Sequence, residues 1–313
     1  MTKPRILFMG TPAFALAALQ GLVQGGWPAI GVVTQPDRPQ GRGRTPAPPP
    51  VKLLAEQFGL PVFQPEKVRD PAFLETFRRL APDLVIVAAF GQILPSEIIH
   101  GPKLGCINIH PSLLPKYRGA APINRALMGG EEKTGVTIMQ MDEGVDSGAI
   151  LLQEETTIGP EENFGQLHDR LAVMGADLLR MALAMLLSGT LLPCPQDHRL
   201  ATAAPRIGRE DVRIDWGKDC RQIVWLIRGL SPVPCAHTLF GGKQLRIFAA
   251  AAEPADVVEA PGTVIGEAAG ALRIATGNGY VLLKEVQAEG KKKMMVRDFL
   301  RGCRIAPGQI LGK

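Results

Sequence analysis

The sequence predicts an α/β domain with a mostly parallel sheet, followed by a small antiparallel β-barrel. Short continuous apolar runs alternate with helical periods over the first 190 residues, and a Pro-rich segment follows. Glycine-bounded β-like runs, spaced about ten residues apart, fill the remainder. The length of 313 residues suits two domains. We expect domains at 1–190 and 207–313, joined by a linker at 191–206.

The first domain begins with an apolar run at 5–10, which predicts a buried strand ending in glycine. A helical period over 14–23 follows. Further strands are predicted at 30–34, 83–89, 106–109 and 136–141, with helical periods at 53–58 and 73–80. This order indicates a Rossmann-like layout. One long amphipathic helix is predicted over 163–187.

The second domain shows β-like runs at 244–248, 262–265, 272–276 and 279–283, and one helix near 222–228.

With 46% hydrophobic and 21% charged residues, the chain has an ordinary globular composition. No uninterrupted apolar run approaches the roughly 18 residues that span a bilayer. The five cysteines include no CxxC pair, and the N-terminus enters a strand-like run directly. We therefore expect a cytoplasmic protein with reduced thiols, no structural metal and no membrane partner.

The net charge of +5 is unevenly distributed. Counted from the sequence, residues 1–205 sum to −1 and residues 206–313 sum to +6. A basic segment beside a neutral one suggests contact with a polyanion such as nucleic acid, although a basic balance also accompanies solubility alone.

The first strand-to-helix turn argues against a dinucleotide cofactor. It reads Gly10-Thr11-Pro12-Ala13-Phe14, which lacks the G-x-G-x-x-G pattern. Proline replaces the glycine that lets the backbone approach a pyrophosphate.

Asn108 and His110 form the densest polar constellation, two residues apart at a strand end, so their side chains point the same way. The loop 142–148 follows the alternating strand and can bring Asp146 near the imidazole. An amide, an imidazole and a carboxylate suit acyl transfer to a substrate amine. A hydrolase triad fits poorly, because Ser112 lies outside any G-x-S-x-G turn.

Two motifs resemble those of the 10-formyltetrahydrofolate-dependent formyltransferases. They are Asn-Ile-His-Pro-Ser-Leu-Leu-Pro-Lys-Tyr-Arg-Gly, from Asn108, and Thr-Ile-Met-Gln-Met-Asp-Glu-Gly-Val-Asp-Ser-Gly, from Thr137. The resemblance covers essentially the whole chain, including Arg-Ile-Asp-Trp from Arg213. It implies a folate-bound formyl donor, a C-terminal barrel of the OB type, no metal, and Asn108, His110 and Asp146 as the catalytic residues. Which of His110 and Asp146 is the base stays open.

The same resemblance assigns the remaining site residues. It implies that Ser112, Leu113, Leu114 and Pro115 line the folate site, and that main-chain groups of Phe90, Gly91, Gln92, Ile93 and Leu94 face the pterin. The loop 36–46 is rich in arginine and glycine, and by itself would be an ordinary exposed loop. Within the family, its Arg38, Arg42 and Arg44 imply contact with the acceptor stem of a tRNA, and Lys291, Lys292 and Lys293 imply a second phosphate contact.

The implied acceptor is initiator methionyl-tRNA, formylated for translation initiation by a monomeric enzyme. Other members of the family provide alternatives, in which the acceptor is an amino-sugar nucleotide or glycinamide ribonucleotide, or the formyl group is hydrolysed. A further alternative is a nucleic-acid-binding module without catalysis. The intact trio argues against the last of these. Ala203 and Val233 depart from the aromatic residues common in the family.

Overall fold

A computed structural model describes residues 3–27, 29–40, 45–303 and 305–312. The chain divides into two compact units. Unit 1 comprises residues 1–119, 133–157 and 168–204, and unit 2 comprises residues 120–132, 158–167 and 205–313.

The strands, in chain order, are β1 Ile6–Gly10, β2 Ala29–Val33, β3 Arg38–Gln40, β4 Thr45–Ala47, β5 Val62–Phe63, β6 Leu84–Ala88, β7 Cys106–His110, β8 Lys133–Gln140, β9 Ile150–Thr157, β10 Ala236–Phe240, β11 Lys243–Glu253, β12 Val264–Ala268, β13 Ala271–Ala275, β14 Tyr280–Ala288 and β15 Met294–Met295. The helices are α1 Phe14–Gln24, α2 Pro50–Gln57, α3 Pro71–Leu80, α4 Ser96–His100, α5 Pro122–Met128, α6 Phe164–Ser188, α7 Cys220–Leu230 and α8 Val296–Gly302.

Unit 1 is organised by a seven-stranded sheet of order β5-β2-β1-β6-β7-β8-β9. The first five strands run parallel, and β8 and β9 are antiparallel to their neighbours. Both β1 and β6 are fully buried, as their continuous apolar sequences predict. The strand order reverses between β1 and β6, and open α/β sheets bind ligands at the carboxyl ends of strands beside such a reversal.

Close packing at this reversal explains Gly10. A Cβ there would lie 2.8 Å from the Cβ of Ala15 and 3.0 Å from the carbonyl oxygen of Ala88. Just beyond, the Thr11 hydroxyl donates to the carbonyl of Phe90 at 2.9 Å, which ties the two loops together.

The long helix α6 confirms the helical period at 163–187 within one residue at each end. By length and composition it could cross a membrane, with a mean hydropathy of 1.7 over its most apolar window. However, 44% of that window is buried inside the protein, and the core helix of a soluble protein passes the same test. The helix is therefore partly buried core.

Unit 2 contains an antiparallel sheet of order β10-β11-β14-β13-β12, with β15 paired to β14. Asp219 caps the N-terminus of helix α7, because its side chain accepts from the backbone N–H of Arg221 at 2.8 Å. Its apolar face buries Ile223, Ile227 and Leu230 against the sheet core. The predicted fold class, a mostly parallel α/β sheet followed by an antiparallel β domain, is confirmed.

Unit 1 also contains elements that were not predicted from the sequence, namely β3, β4, β5, β9 and α4. Strand β9 is an edge strand whose residues are half-buried or exposed, so its polar sequence gives no apolar alternation. The two ends of the arginine-rich loop form the antiparallel strands β3 and β4, in which Arg38 pairs with Ala47.

Candidate active site

Strand β7 places Asn108 and His110 at the carboxyl end of the parallel part of the sheet. Both side chains project from one face of the strand, as their spacing of two requires. Asn108 is half-buried, and the side chain of His110 is only 4% exposed. The site therefore combines a partly accessible amide with a desolvated imidazole.

The loop after β8 brings a carboxylate to this pair. The Asp142 side chain accepts from the Ser147 hydroxyl at 2.8 Å and from the Gly144 N–H at 3.1 Å, which closes the loop on itself. Asp146 then takes a left-handed backbone conformation with φ of 49°. Its carboxylate is 17% exposed.

The three residues predicted as catalytic meet at this carboxylate. Asp146 Oδ2 lies 3.5 Å from His110 Nδ1, and Asp146 Oδ1 lies 3.5 Å from Asn108 Nδ2. The shortest contact is a hydrogen bond of 2.8 Å, donated by the backbone N–H of Gly119 to Oδ2. The backbone of the 117–119 loop therefore fixes the carboxylate beside the imidazole.

The other ring nitrogen of His110 faces a carbonyl. Nε2 lies 3.0 Å from the carbonyl oxygen of Tyr117, which can only accept, so Nε2 carries a proton. Burial lowers the pKa of the imidazole below its ordinary 6.5, against the opposing effects of the Asp146 charge and the Tyr117 carbonyl. A neutral ring with its proton on Nε2 has its lone pair on Nδ1, the atom facing Asp146.

The segment 112–115, which is predicted to line the folate site, is held by a buried threonine. The Thr137 hydroxyl donates to the Ser112 carbonyl at 2.7 Å and accepts from the Leu114 N–H at 3.2 Å. The Ser112 side chain is fully buried, and its hydroxyl donates to the Lys116 carbonyl at 2.8 Å. The Ser112 side chain therefore stabilises the loop. Leu113 and Pro115 are half-buried and offer apolar surface.

The segment 90–94, which is predicted to face the pterin, makes several hydrogen bonds within the protein. The Phe90 carbonyl accepts from Thr11 at 2.9 Å and from the Gln35 side chain at 3.3 Å, and the Gln92 side chain accepts from the Val68 N–H at 2.9 Å. Gly91 has φ of 86°, and Ile93 is 93% exposed. A ligand on this segment can cover Ile93 and the turn at Gly91.

Of the three arginines predicted to contact tRNA, the structure describes Arg38. Arg38 lies in β3 and pairs with Glu66 at 3.1 Å in an exposed ion pair. Arg42 and Arg44 lie outside the described residues. The preceding Asp37 is held by Lys52 at 2.9 Å and by the Gln64 amide at 2.7 Å, which anchors the start of the arginine-rich loop.

The lysine cluster lies in unit 2, on the turn between β14 and β15. All three lysines, 291–293, are exposed. Lys293 pairs with Glu285 at 3.0 Å and lies 5.3 Å above the ring of Phe248. Unit 2 also has a cleft of about 350 Å³, and its cationic and aromatic lining residues are Arg221, Trp225, Arg228, Phe248 and Lys284. The sequence did not predict this cleft, because its residues come from α7, β11 and β14.

Metal ligation finds no support in the part of the chain that the structure describes. Over residues 3–27, 29–40, 45–303 and 305–312, no three His, Cys, Asp or Glu side chains are grouped to hold an ion.

Known proteins fit this architecture. A Formyl transferase family profile matches residues 4–183, and a profile for the Formyl transferase C-terminal domain matches residues 206–304. Methionyl-tRNA formyltransferase from Syntrophus aciditrophicus is 54% identical over 312 residues, covering all of both chains. The chain belongs to the methionyl-tRNA formyltransferase family. The predicted family membership and enzyme class are confirmed.

Solved structures share the fold of this formyltransferase. HypX from Aquifex aeolicus, in complex with tetrahydrofolic acid, is 19% identical with a TM-score of 0.65 and covers 96% of this chain. This chain spans 47% of HypX. An N-formyltransferase from Helicobacter canadensis, in complex with folinic acid and dTDP-3-aminofucose, is 16% identical with a TM-score of 0.65, covering 93% of this chain and all of that one. At these identities the likeness shows the fold alone.

Proposed function

We propose that this enzyme transfers the formyl group of 10-formyltetrahydrofolate to the α-amine of initiator methionyl-tRNA, giving N-formylmethionyl-tRNA for translation initiation. The observation that carries the proposal is the Asp146 carboxylate, which lies 3.5 Å from both the Asn108 amide and the His110 imidazole. The full-length relative at 54% identity bears the name methionyl-tRNA formyltransferase, which supports the choice of acceptor.

His110 is assigned the proton transfer in this proposal. The neutral amine of the methionyl group attacks the formyl carbon and must lose a proton as the tetrahedral intermediate forms. The intermediate then collapses as the bond between the formyl carbon and N10 breaks, and N10 takes up a proton, which releases tetrahydrofolate. The lone pair on His110 Nδ1 is available, because Nε2 donates to Tyr117. Asp146 stabilises the imidazolium that results. General base catalysis of this kind contributes roughly 10²–10⁴-fold.

Asn108 is assigned the developing negative charge on the formyl oxygen. Its amide is half-buried, and its Nδ2 also faces Asp146, which orients the group. A donor fixed in a site with little water stabilises an oxyanion without having to reorganise. In similar sites, losing such a donor costs about 2.7–4 kcal/mol of barrier.

The folate donor is assigned to unit 1. Leu113, Pro115 and the exposed Ile93 provide apolar surface for a planar ring system, and Ser112 and Leu114 hold the loop through Thr137. When bound there, the donor supplies the activated formyl group. Residues 1–190 form the proposed catalytic domain.

The tRNA is assigned to both charged regions. We infer that Arg38, Arg42 and Arg44 contact the acceptor stem and that residues 207–313, reached through a linker at 191–206, bind the tRNA backbone. The charge excess after residue 205 and the exposed lysines 291–293 support this assignment. Arg221 adds positive charge to the unit 2 cleft, where Lys284 pairs with Glu161 at 3.1 Å and Trp225 offers a stacking surface. A cytoplasmic monomer acting without a metal or dinucleotide completes the proposal.

A side-by-side transfer assay tests the acceptor. Labelled 10-formyltetrahydrofolate is offered with methionyl-tRNA, with a dTDP-amino-sugar, or with glycinamide ribonucleotide, and a no-acceptor control measures hydrolysis. We expect label to appear on methionyl-tRNA alone. Preferential labelling of the sugar nucleotide would replace the proposal with the amino-sugar alternative. The Helicobacter enzyme, solved in complex with dTDP-3-aminofucose, shares the fold of this chain.

A further inference from the structure

A single segment of unit 1 contacts both loops of the candidate active site. This segment, residues 194–204, is here named the strap. At one end, Cys194 exchanges two backbone hydrogen bonds of 2.8 Å with Ile150 of β9. At the other end, the Arg118 N–H donates to the Thr202 carbonyl at 2.8 Å, and the Ala204 N–H donates to the Arg118 carbonyl at 2.6 Å. The strap therefore lies against the 117–119 loop by regular backbone pairing.

Gln196 lies within the strap, and both the nitrogen and the oxygen of its side-chain amide form hydrogen bonds with the active-site loops. Its side chain is buried, with 7% exposed. Nε2 donates to the carbonyl of Asp146 at 3.0 Å and to the carbonyl of Gly148 at 2.7 Å. Oε1 accepts from Arg118 at 2.6 Å and 3.1 Å. The amide thus links the 146–148 loop to the 117–119 loop.

The contact at Asp146 acts on a strained residue. A non-glycine residue with φ of 49° is in an unfavourable backbone conformation, which it keeps only where its surroundings hold it. Gln196 holds the carbonyl of Asp146, while the Gly119 N–H holds its carboxylate at 2.8 Å. A Cβ on Gly119 would lie 2.8 Å from the Ala204 carbonyl oxygen, so glycine allows the strap to approach.

The strap also reaches the opposite side of the imidazole. The N–H of Tyr117 donates to the Thr202 hydroxyl at 2.9 Å, and the Tyr117 carbonyl faces His110 Nε2. Tyr117 too has a left-handed backbone, with φ of 62°. The groups that face the two ring nitrogens of His110 are therefore both attached to one segment.

We propose that Gln196 is a positioning residue for formyl transfer, which acts by holding the backbone of Asp146 so that its carboxylate faces His110 Nδ1. This inference rests on the proposed function. It assigns to the strap the alignment of the proton-accepting pair, and it does not place Gln196 in contact with substrate.

Two substitutions separate this role from simple packing. Gln196→Met keeps the length and apolar stem but removes all four hydrogen bonds. Gln196→Glu keeps the acceptor for Arg118 but removes both donated hydrogens and sets a charge against two carbonyls. Thr238→Val is the control, because it removes one buried hydrogen bond, from Trp216 at 3.0 Å, in unit 2.

We expect kcat for methionyl-tRNA to fall about 10- to 100-fold in both Gln196 variants, because a misaligned catalytic group slows the chemical step. The KM values for tRNA and folate should stay within about threefold of wild type, since neither binding surface changes. Thr238→Val should keep the wild-type kcat. If Gln196→Met fails to fold in a thermal melt, Gln196→Glu carries the test.

The His110 imidazole signal in labelled protein gives a readout that needs no substrate. Asp146 is the charged group facing the ring, and its displacement should lower the titration midpoint in Gln196→Met. Wild-type kcat and an unchanged midpoint in both variants would overturn the role of Gln196, as would a raised KM with unchanged kcat. An inactive wild type would instead overturn the proposed function. The shift in the His110 titration midpoint is measured without substrate, so it tests the role of Gln196 independently of that function.

Discussion

The Nε2 atom of His110 lies 3.0 Å from the carbonyl oxygen of Tyr117. Because a carbonyl cannot donate, this contact fixes the ring proton on Nε2 and directs the Nδ1 lone pair towards Asp146. The proton-transfer role proposed for His110 depends on this arrangement. It also predicts how the site responds to pH and to substitution.

The titration of His110 should reflect its burial. Burial disfavours the imidazolium and lowers its pKa, while the Asp146 charge raises it in part. In NMR of histidine-labelled protein, with His110→Gln used for assignment, the midpoint should lie below 6.5. Asp146→Asn removes the favourable charge and should move the midpoint lower still. A wild-type midpoint above 6.5, or an upward shift in Asp146→Asn, would contradict the assigned environment.

Replacing Asn108 should slow the chemical step. Asn108→Ala removes the donor proposed for the formyl oxygen, so kcat should fall about 10²–10³-fold while the KM for methionyl-tRNA changes little. Steady-state kinetics at saturating folate measure both constants. Thr238→Val again controls for the loss of a buried hydrogen bond. A kcat close to wild type would remove Asn108 from the mechanism.

The lysine turn of unit 2 should contribute to the salt dependence of tRNA binding. A substitution that removes one lysine–phosphate ion pair should reduce the slope of log K against log salt by about one. Lys292→Ala should show this reduction, whereas Lys293→Ala should show less, because Lys293 is already paired with Glu285 at 3.0 Å. Lys103→Ala, which removes an exposed lysine paired with Asp83 in unit 1, is the control. Filter binding at several salt concentrations makes the measurement, and identical slopes throughout would contradict a phosphate-binding role for this turn.

The arginine-rich loop should act on the tRNA and not on the folate. Arg42→Ala should raise the KM for methionyl-tRNA while the KM for 10-formyltetrahydrofolate stays unchanged. Arg38→Ala should have the smaller effect, since Arg38 already pairs with Glu66. Arg79→Ala removes an exposed arginine from α3 and serves as the matched control. Loss of folate affinity in Arg42→Ala would show that the loop has been assigned to the wrong substrate.

The fold and the central trio were predictable because they follow from local patterns. Continuous apolar strands indicated the parallel sheet, and the spacing of Asn108 and His110 placed both on one face of a strand end. Asp146 could be placed because its loop directly follows strand β8, the neighbour of β7 in the sheet. Strand alternation and sheet order together bring these groups within 3.5 Å.

The residues that hold the trio in place were not predictable in the same way. Gln196 contacts backbone carbonyls about fifty residues earlier in the chain, and its surroundings read as a Pro-rich linker. Backbone groups carry no residue-type signal, so neither the Tyr117 carbonyl nor the Gly119 N–H could be assigned from sequence. Long-range contacts of side chains to backbone appear only once the chain is folded.

The most direct test of the central claim is a single-turnover measurement of formyl transfer to saturating methionyl-tRNA, comparing wild type with His110→Gln. Glutamine keeps a polar side chain at this position but cannot take up the amine proton. The proposed mechanism predicts a rate constant about 10²–10⁴-fold lower in His110→Gln, with tRNA binding within about twofold of wild type. A near-normal transfer rate in His110→Gln would contradict the proposed mechanism.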